Sequence, residues 1–201
     1  MSDQSLLEGP THAGRDKLLD GAIRCLNDHG LHNTTVRMIA EYAGVAPGLV
    51  RHHFGGKDNL LEECFRWLND RAMVRIEAAM ETAERDVGLA VQQLFLAYFP
   101  SDTSEQVHMR VLVTFWSASL SQEEMAELQS ACYRRMDELL VKFVDSFIPD
   151  VPDSALLADS FAAMMKGFWF RCYTEPQNMT PERVMAAASQ MTGLLVKASS
   201  P

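Results

Sequence analysis

The residues of this chain that are best suited to chemistry are four basic side chains close together in the sequence: Arg51, His52, His53 and Lys57. Such side chains can donate hydrogen bonds to phosphate groups and to the edges of nucleic-acid bases. Pro47 suits the first turn of a helix and Gly55 suits the end of one, so a short helix is predicted between them. This arrangement favours nucleic-acid recognition.

The same segment carries no catalytic motif. Gly55-Gly56-Lys57-Asp58 differs from a P-loop, because Arg51 stands in place of the leading glycine and Asp58 in place of the Ser or Thr. The sequence has no His-Glu-x-x-His and no Gly-x-Ser-x-Gly motif. His29 and His32 flank a turn without a matching cluster of ligands. We therefore predict no metal site, no cofactor and no enzymatic activity.

A second group of side chains that could do chemistry is aromatic and follows residue 60: Trp67, Tyr98, Phe115, Trp116, Tyr133 and Trp169. Aromatic residues at helical spacing usually belong to a core. The alternative is a pocket for an apolar or cationic ligand, because aromatic rings attract cations and methionines provide an adaptable wall. Both interpretations stay open from the residues alone.

The net charge of −9 is unevenly distributed. Residues 1–57 carry six Lys/Arg and six Asp/Glu, together with five of the six histidines, whereas residues 58–201 carry 12 basic and 21 acidic residues. A neutral N-terminal segment on an acidic remainder is compatible with DNA binding, because the surface that meets phosphates is local. The acidic remainder also weakly favours a cationic ligand over an anionic one.

The sequence predicts a cytoplasmic protein without a membrane span or a signal peptide. Asp159 and Lys166 interrupt its most hydrophobic stretch, and the first residues lack a basic region followed by an apolar one. Four cysteines are spaced for neither a zinc site nor a small disulfide framework: Cys25, Cys64, Cys132 and Cys172. Reduced, buried thiols are expected.

Helical periodicity dominates the sequence, and no alternating strand pattern is found, which predicts an all-α fold. Within residues 1–60, three short helices are separated by turns at Gly30 and Gly44. Small apolar residues around Gly44 would let two of these helices cross closely, as in a helix-turn-helix. The periodicity of residues 61–201 predicts about six longer helices, one of them carrying Met109, Leu112, Val113, Trp116 and Leu120. Their boundaries are expected at Ala83, Pro100, a Ser121–Glu124 capping box, Pro149, Pro152 and Thr180.

The segment from Thr35 to Leu61 resembles the TetR/AcrR family of one-component regulators. The matching residues are Thr35, Ile39-Ala40, Ala43-Gly44-Val45, Gly48, His53-Phe54, Lys57 and Leu60-Leu61. The resemblance implies an N-terminal helix-turn-helix DNA-binding domain over residues 1–60 and a C-terminal ligand-binding and dimerisation domain over 61–201. It implies a repressor that binds a DNA operator as a homodimer and is released by a small organic effector.

The resemblance also assigns roles to residues of the N-terminal domain. Thr34 and Thr35 are expected to meet phosphates, and His53 and Lys57 to hold the DNA backbone. The residues expected to face base edges are Pro47, Gly48, Leu49, Arg51 and His52. Two departures matter: Ala46 stands where the family usually caps the recognition helix with Ser or Thr, and Arg51 where an aromatic phosphate contact is common. An arginine there can instead bind guanine O6 and N7 with two hydrogen bonds.

A fainter likeness connects the second domain to the choline-sensing repressors of glycine-betaine synthesis within that family. It rests on Met109–Leu120 with Phe115-Trp116, on Arg134-Arg135, and on Gly167-Phe168-Trp169-Phe170-Arg171. It makes choline and betaine aldehyde the first effectors to test. The wider TetR/AcrR resemblance implies that the aromatic residues after residue 60 bind the effector, with Trp116 and Trp169 foremost. It also implies that the last two helices, at about 154–173 and 181–197, form the dimer contact.

Two other functions are compatible with the residues alone. One is a helical small-molecule-binding protein or enzyme that does not bind DNA. It leaves unexplained why a helix-turn-helix would display Arg51, His52, His53 and Lys57 at one exposed end. The other is an architectural DNA binder without a ligand, which the acidic remainder disfavours.

Overall fold

The computed structural model describes residues 10–82, 86–99, 103–148, 151–175 and 177–198, and these residues form nine α-helices and no strand. The helices are α1 (Pro10–Asn33), α2 (Val36–Ala43), α3 (Gly48–Phe54), α4 (Lys57–Thr82), α5 (Val87–Tyr98), α6 (Thr103–Ser119), α7 (Glu123–Phe147), α8 (Ser154–Thr174) and α9 (Pro181–Ala198). The all-α prediction is confirmed. The boundaries expected at Ala83, Pro100 and Pro149 lie outside the described residues.

Glycines at positive φ interrupt α1 near its C-terminus and end α2. Gly30 has φ 72° and ψ 172°, which breaks the helical path of α1 before Asn33. Gly44 follows α2 in the left-handed conformation, and its amide donates to the carbonyls of Ala40 and Glu41. A residue with a Cβ adopts this conformation at a steric cost, so these positions favour glycine. The turns predicted at Gly30 and Gly44 are therefore confirmed.

The start of α3 directly after Pro47 agrees with the sequence prediction, and the start of α7 differs from it. α3 begins at Gly48 with Pro47 as its N-cap, and no side chain caps it. The expected capping box at Ser121 is wrong, because α7 begins at Glu123 and the Ser121 hydroxyl instead donates to the Ala118 carbonyl at 3.3 Å. That backward hydrogen bond closes the turn after α6, so the hydroxyl serves the preceding helix and not the following one.

The described residues fall into two compact units. The first comprises residues 10–68 and 103–129, and in it α1 packs against α2, α3 and α6. Its core is apolar and fully buried at Leu18, Ile23, Leu26, Ile39, Leu60, Phe65 and Phe115. This packing holds the short helices against the long α1. Helices as short as α2 and α3 are not stable alone, so they depend on this shared core.

The second unit comprises residues 69–99, 130–148, 151–175 and 177–198, and in it α5 packs against α9. Its buried aromatic core includes Phe143 and Phe161, whose rings meet edge to face at 6.0 Å. α4 and α7 contribute residues to both units. The functional boundary expected between residues 60 and 61 stays a prediction, since this division by packing places residues 61–68 and 103–129 with the N-terminal helices.

Within the described residues, no helix contains a stretch long and apolar enough to cross a membrane. The same part of the chain holds no group of three or more His, Cys, Asp or Glu side chains arranged to bind a metal ion. All four cysteines are unpaired, three of them buried and Cys172 half-buried. Burial raises the pKa of the Cys25 and Cys64 thiols, which keeps both protonated.

Candidate nucleic-acid interface and effector residues

The short helix α3 and the residue before it expose one face to solvent, with two basic side chains on it. We call its exposed residues Pro47, Gly48, Arg51 and His52 the recognition face. Val50 and Phe54 lie on the opposite side of α3 and are buried, so hydrophobic packing determines which side faces solvent. Leu49, predicted to face bases, is half-buried at the edge of this surface.

Arg51 is the side chain of the recognition face with the greatest capacity for specific contacts. It is exposed and forms no hydrogen bond or ion pair with any residue that the structure describes. Its guanidinium therefore keeps its full set of donors for an external acceptor, and a planar fork of donors matches the two acceptors of guanine. His52 is also exposed, with its ring 4.9 Å from that of His53.

The two neighbouring threonines occupy opposite environments. Thr35 is exposed and caps α2, its hydroxyl oxygen accepting from the Met38 amide at 3.3 Å, which leaves the hydroxyl proton free to donate to a phosphate. Thr34 is fully buried, and its hydroxyl donates to the Gly30 carbonyl at 2.7 Å. The Thr34 side chain therefore offers neither exposed surface nor an uncommitted proton to a phosphate, and the contact expected of it stays a prediction that its burial disfavours.

His53 and Lys57 are both half-buried. His53 lies over Gly14 of α1, where a Cβ would be 3.0 Å from its Nε2. Lys57 lines a cleft of about 200 Å³ together with His32, Asp58, Glu62 and Glu124. The three carboxylates in that cleft compete electrostatically with phosphate for the ammonium, so the role of Lys57 as a backbone contact stays a prediction.

Polar contacts fix the orientation of the recognition helix relative to α1 and α4. Arg15 of α1 forms an ion pair with Glu63 of α4 at 2.6 Å, and its guanidinium lies 5.5 Å from the centroid of the Phe54 ring. Asn59 donates to the Phe54 carbonyl at 2.9 Å and so satisfies the end of α3. The C-terminal end of α3 is thereby tied to two longer helices.

A hydrogen-bonded chain ties α2 to α1. The Tyr42 hydroxyl donates to Asp28 Oδ2 at 2.9 Å, and its oxygen lies 2.9 Å from His29 Nε2. Hydrogen bonds from Asn27 and Tyr42 lower the pKa of the Asp28 carboxyl, and the charges of His29 and Arg110 act in the same direction. The ionised carboxylate is thus the form that holds α2 in place.

The sequence prediction missed two residues. One lies on the exposed surface near the recognition face, and the other lies where α1 packs against α2. Arg37 is exposed in the first turn of α2, beside Thr35, and pairs with no described residue. Its position next to a predicted phosphate contact was a usable signal. Gly21 of α1 was not distinguishable by sequence, because its role depends on the close approach of Ala43 in α2.

The aromatic residues predicted to bind an effector are divided between the two units. Trp67, Phe115 and Trp116 belong to the first unit, and Tyr98, Tyr133 and Trp169 to the second. In the first unit, Trp67 meets His108 edge to face at 5.4 Å, and the buried Phe115 ring lies 5.1 Å from Phe65. Trp116 is half-buried.

In the second unit, Trp169 is fully buried and contacts Tyr173 edge to face at 5.4 Å. Tyr98 is buried on α5, and Tyr133 is half-buried on α7. Burial raises the pKa of both phenols, that of Tyr133 to about 12, so both hydroxyls stay protonated near neutral pH. Lys166 of α8 places its ammonium 3.8 Å from the centroid of the Tyr133 ring, a cation–π contact.

Two family profiles match the sequence. The family described as bacterial regulatory proteins of the tetR family matches residues 18–64, and the BetI-type transcriptional repressor C-terminal family matches residues 90–196. The first match covers α2, α3 and most of α1, and the second covers α6 to α8 with most of α5 and α9.

Curated relatives are of the same kind. The chain is 31% identical over 157 residues to the HTH-type transcriptional regulator BetI of Stenotrophomonas maltophilia, which covers 78% of this chain and 80% of that protein. It is 28% identical over 177 residues to the HTH-type transcriptional regulator BetI 1 of Chromohalobacter salexigens, covering 87% and 86% respectively. These relatives are transcriptional regulators and not enzymes.

Solved structures share the fold. A transcriptional regulator from Pseudomonas aeruginosa PAO1 superposes with a TM-score of 0.81 at 25% identity, over 98% of both chains. A transcriptional regulator from Saccharomonospora viridis, solved in complex with choline, superposes with a TM-score of 0.75 at 19% identity, over 94% of this chain and 97% of that one.

Proposed function

Because the chain belongs to the TetR family of bacterial transcriptional regulators and carries a BetI-type repressor C-terminal domain, we propose that its recognition face reads the operator DNA. The observation that carries this proposal is the exposure of Arg51 without any partner among the described residues, on a helix whose other side is buried. A cytoplasmic location goes with this function, because the operator DNA is there.

The DNA contact proposed for each residue follows from its solvent exposure and from the hydrogen-bond donors that it carries. Arg51 and His52 contact base edges, because they are exposed on the short helix α3. Thr35 and Arg37 contact phosphates beside the start of α2, where the amides of the helix N-terminus also attract anions. His53 and Lys57 contact the DNA backbone at the edge of the site.

We propose that the chain acts as a homodimer formed by α8 and α9. α8 carries an exposed seam at three- and four-residue spacing: Leu156, Ser160, Ala163, Gly167 and Phe170. On α9, Ala186, Gly193 and Leu194 are exposed, whereas Ala188 is buried in its own unit. The small residues let two helices approach closely, and the large apolar residues beside them supply surface to bury. A dimer is needed because one short recognition helix reads only a few base pairs.

The effector is a small organic molecule, and we propose an organic cation of the choline type. The choline complex of the Saccharomonospora viridis regulator supports this class, since that protein shares the fold. In the second unit the half-buried Tyr133 ring already carries the Lys166 ammonium 3.8 Å from its centroid, so this ring lies where a cation can meet it. Effector binding would shift the population towards a dimer that no longer matches the operator, which requires a preference of about 5.5 kcal/mol for a nearly complete shift.

The test is a mobility-shift titration of the full-length protein on the DNA upstream of its own gene, followed by addition of choline. We expect saturable binding with a two-fold symmetric footprint and release by choline, with glycerol as an uncharged control. Calorimetry and tryptophan fluorescence on the DNA-free protein report effector binding separately. A protein that binds this DNA no better than a shuffled sequence would contradict the operator assignment.

A further inference from the structure

Lys166 occupies a ring face that an effector cation would need. Its ammonium on α8 lies 3.8 Å from the centroid of the Tyr133 ring on α7, and both residues are half-buried. Lys166 forms no hydrogen bond and no ion pair with the described residues. The ring is therefore the one described group in direct contact with this ammonium, and the carboxylates of Asp137 and Asp159 act on it without forming an ion pair.

Burial and two nearby carboxylates act on the Lys166 ammonium in opposite directions. Burial lowers its pKa, and the charges of Asp137 and Asp159 act in the opposite direction. Asp137 lies one helical turn after Tyr133 on α7, and Asp159 lies about two turns before Lys166 on α8. The flexible four-carbon stem of a lysine can swing its ammonium from the ring towards these carboxylates.

We propose that Lys166 is a tethered cation that closes the Tyr133 face in the effector-free protein and is displaced by a cationic effector. Lys166 thereby sets the threshold concentration and the selectivity of the effector site. This inference rests on the proposed function, in which Tyr133 belongs to that site. The displaced ammonium moves to Asp137 or Asp159, where an ion pair offsets the loss of the ring contact.

The competition also specifies the chemical class of the effector. A primary ammonium gains little by replacing Lys166, because it carries the same charge and the same strong hydration. A quaternary ammonium lacks N–H donors and its charge is spread over methyl groups, so it loses less hydration on entering a half-buried aromatic site. An anion is repelled by the acidic pair. The expected ligand is therefore a quaternary or tertiary ammonium compound.

The experiment compares the full-length wild type with Lys166→Met, which keeps the length of the side chain and removes its charge, and with Lys166→Arg, which keeps the charge. The probes are choline and its uncharged isostere 3,3-dimethylbutan-1-ol, titrated by calorimetry. We expect Lys166→Met to bind choline about twofold to thirtyfold more tightly, the range of one cation–π contact. Binding of the isostere should change by less than twofold, and Lys166→Arg should behave as the wild type.

Two further variants keep the test decisive. Lys166→Gln replaces Lys166→Met if the methionine variant does not fold. The increase in choline affinity caused by either change should vanish when Tyr133→Leu is also present. If choline releases the wild type from DNA but Lys166→Met binds choline no more tightly, the role of Lys166 is wrong and the proposed function stands. If neither protein binds choline, the inference is overturned, and the mobility shift reports independently whether operator binding survives.

Discussion

A Cβ atom added to Gly21 of α1 would lie 2.7 Å from the backbone nitrogen of Ala43 in α2. The same atom would lie 2.8 Å from the Ala43 Cβ and 2.9 Å from its Cα. Two of these three neighbours are backbone atoms, which cannot retreat unless α2 itself moves. The absence of a side chain at Gly21 therefore sets how closely the first helix of the helix-turn-helix packs on α1.

Gly21→Ala should destabilise the N-terminal helices by about 1–3 kcal/mol, the usual cost of overpacking, despite the higher helix propensity of alanine. Gly48→Ala is the matched control, because Gly48 also lies in a helix of the first unit and a Cβ there meets nothing within 4 Å. Urea unfolding followed by circular dichroism measures both. A Gly21→Ala protein as stable as the wild type would show that α2 shifts without cost.

Thr34 and Thr35 should respond in opposite ways to replacement by valine. Thr34→Val removes a buried hydrogen bond to the Gly30 carbonyl and should cost about 1–3 kcal/mol of stability, with unchanged DNA affinity for the folded protein. Thr35→Val removes the hydroxyl that caps α2. It should lower the free energy of unfolding by about 0.5–2 kcal/mol and should also weaken DNA binding. Urea unfolding and DNA titration on both proteins separate the effects. If Thr34→Val weakened DNA binding at unchanged stability, Thr34 would be a contact after all.

The hydrogen bond between Tyr42 and Asp28 should make part of the stability pH-dependent. Since the pKa of Asp28 is lowered in the folded protein, its contribution is present above the ordinary value near 4 and is lost as pH falls through the folded value. Tyr42→Phe should therefore be less stable than the wild type at pH 6, and the difference should shrink below about pH 4. Thermal unfolding from pH 3 to pH 7 measures this. A difference that does not vary with pH would exclude the carboxylate as the partner.

The fold was largely predictable because local signals agree with the packing. Gly30 and Gly44 end helices where the sequence predicts, since a positive φ favours glycine. α8 and α9 begin at residues 154 and 181, as the sequence predicts. Ser121 misled the prediction, because a hydroxyl can serve the helix before it as well as the helix after it.

The site was predictable only in part, because burial depends on neighbours distant in sequence. Thr34 and Thr35 are the same residue type side by side, yet one is buried beneath α1 and the other is exposed. The cation–π contact of Lys166 joins residues 33 positions apart on two helices, which no periodicity reveals. Arg37 lay within the motif but has no characteristic spacing of its own.

The exposed seam of α8 should hold the dimer together. Leu156→Asp or Phe170→Asp would place a carboxylate in an apolar helix contact, which should weaken dimerisation about 100-fold or more, equivalent to about 3 kcal/mol. Val74→Asp is a matched control, since Val74 on α4 is 62% exposed and Leu156 is 64% exposed. Analytical ultracentrifugation at micromolar concentration should show monomers for the α8 variants alone. Dimers in all three proteins would move the interface elsewhere.

Arg51 should determine sequence preference at one base position in each half-site. Arg51→Ala should cost about 1–3 kcal/mol of operator affinity and relax the preference at that position, because one pair of hydrogen bonds to a base is lost. Binding to a library of operators with single-base changes measures the effect. An equal loss of affinity on every sequence would instead identify Arg51 as a phosphate contact.

Lys57 should increase the affinity for DNA without changing the preference among operator sequences. If its ammonium leaves the cleft with Asp58, Glu62 and Glu124 to meet a phosphate, Lys57→Ala should weaken binding to all operators alike. The slope of log affinity against log salt should then flatten by about one unit, since one fewer counterion is released. Lys142→Ala, an exposed lysine on α7, makes the same change in net charge outside the interface and should leave the slope unaltered. Should the Lys57→Ala slope equal that of Lys142→Ala, the ammonium belongs to the cleft carboxylates and not to DNA.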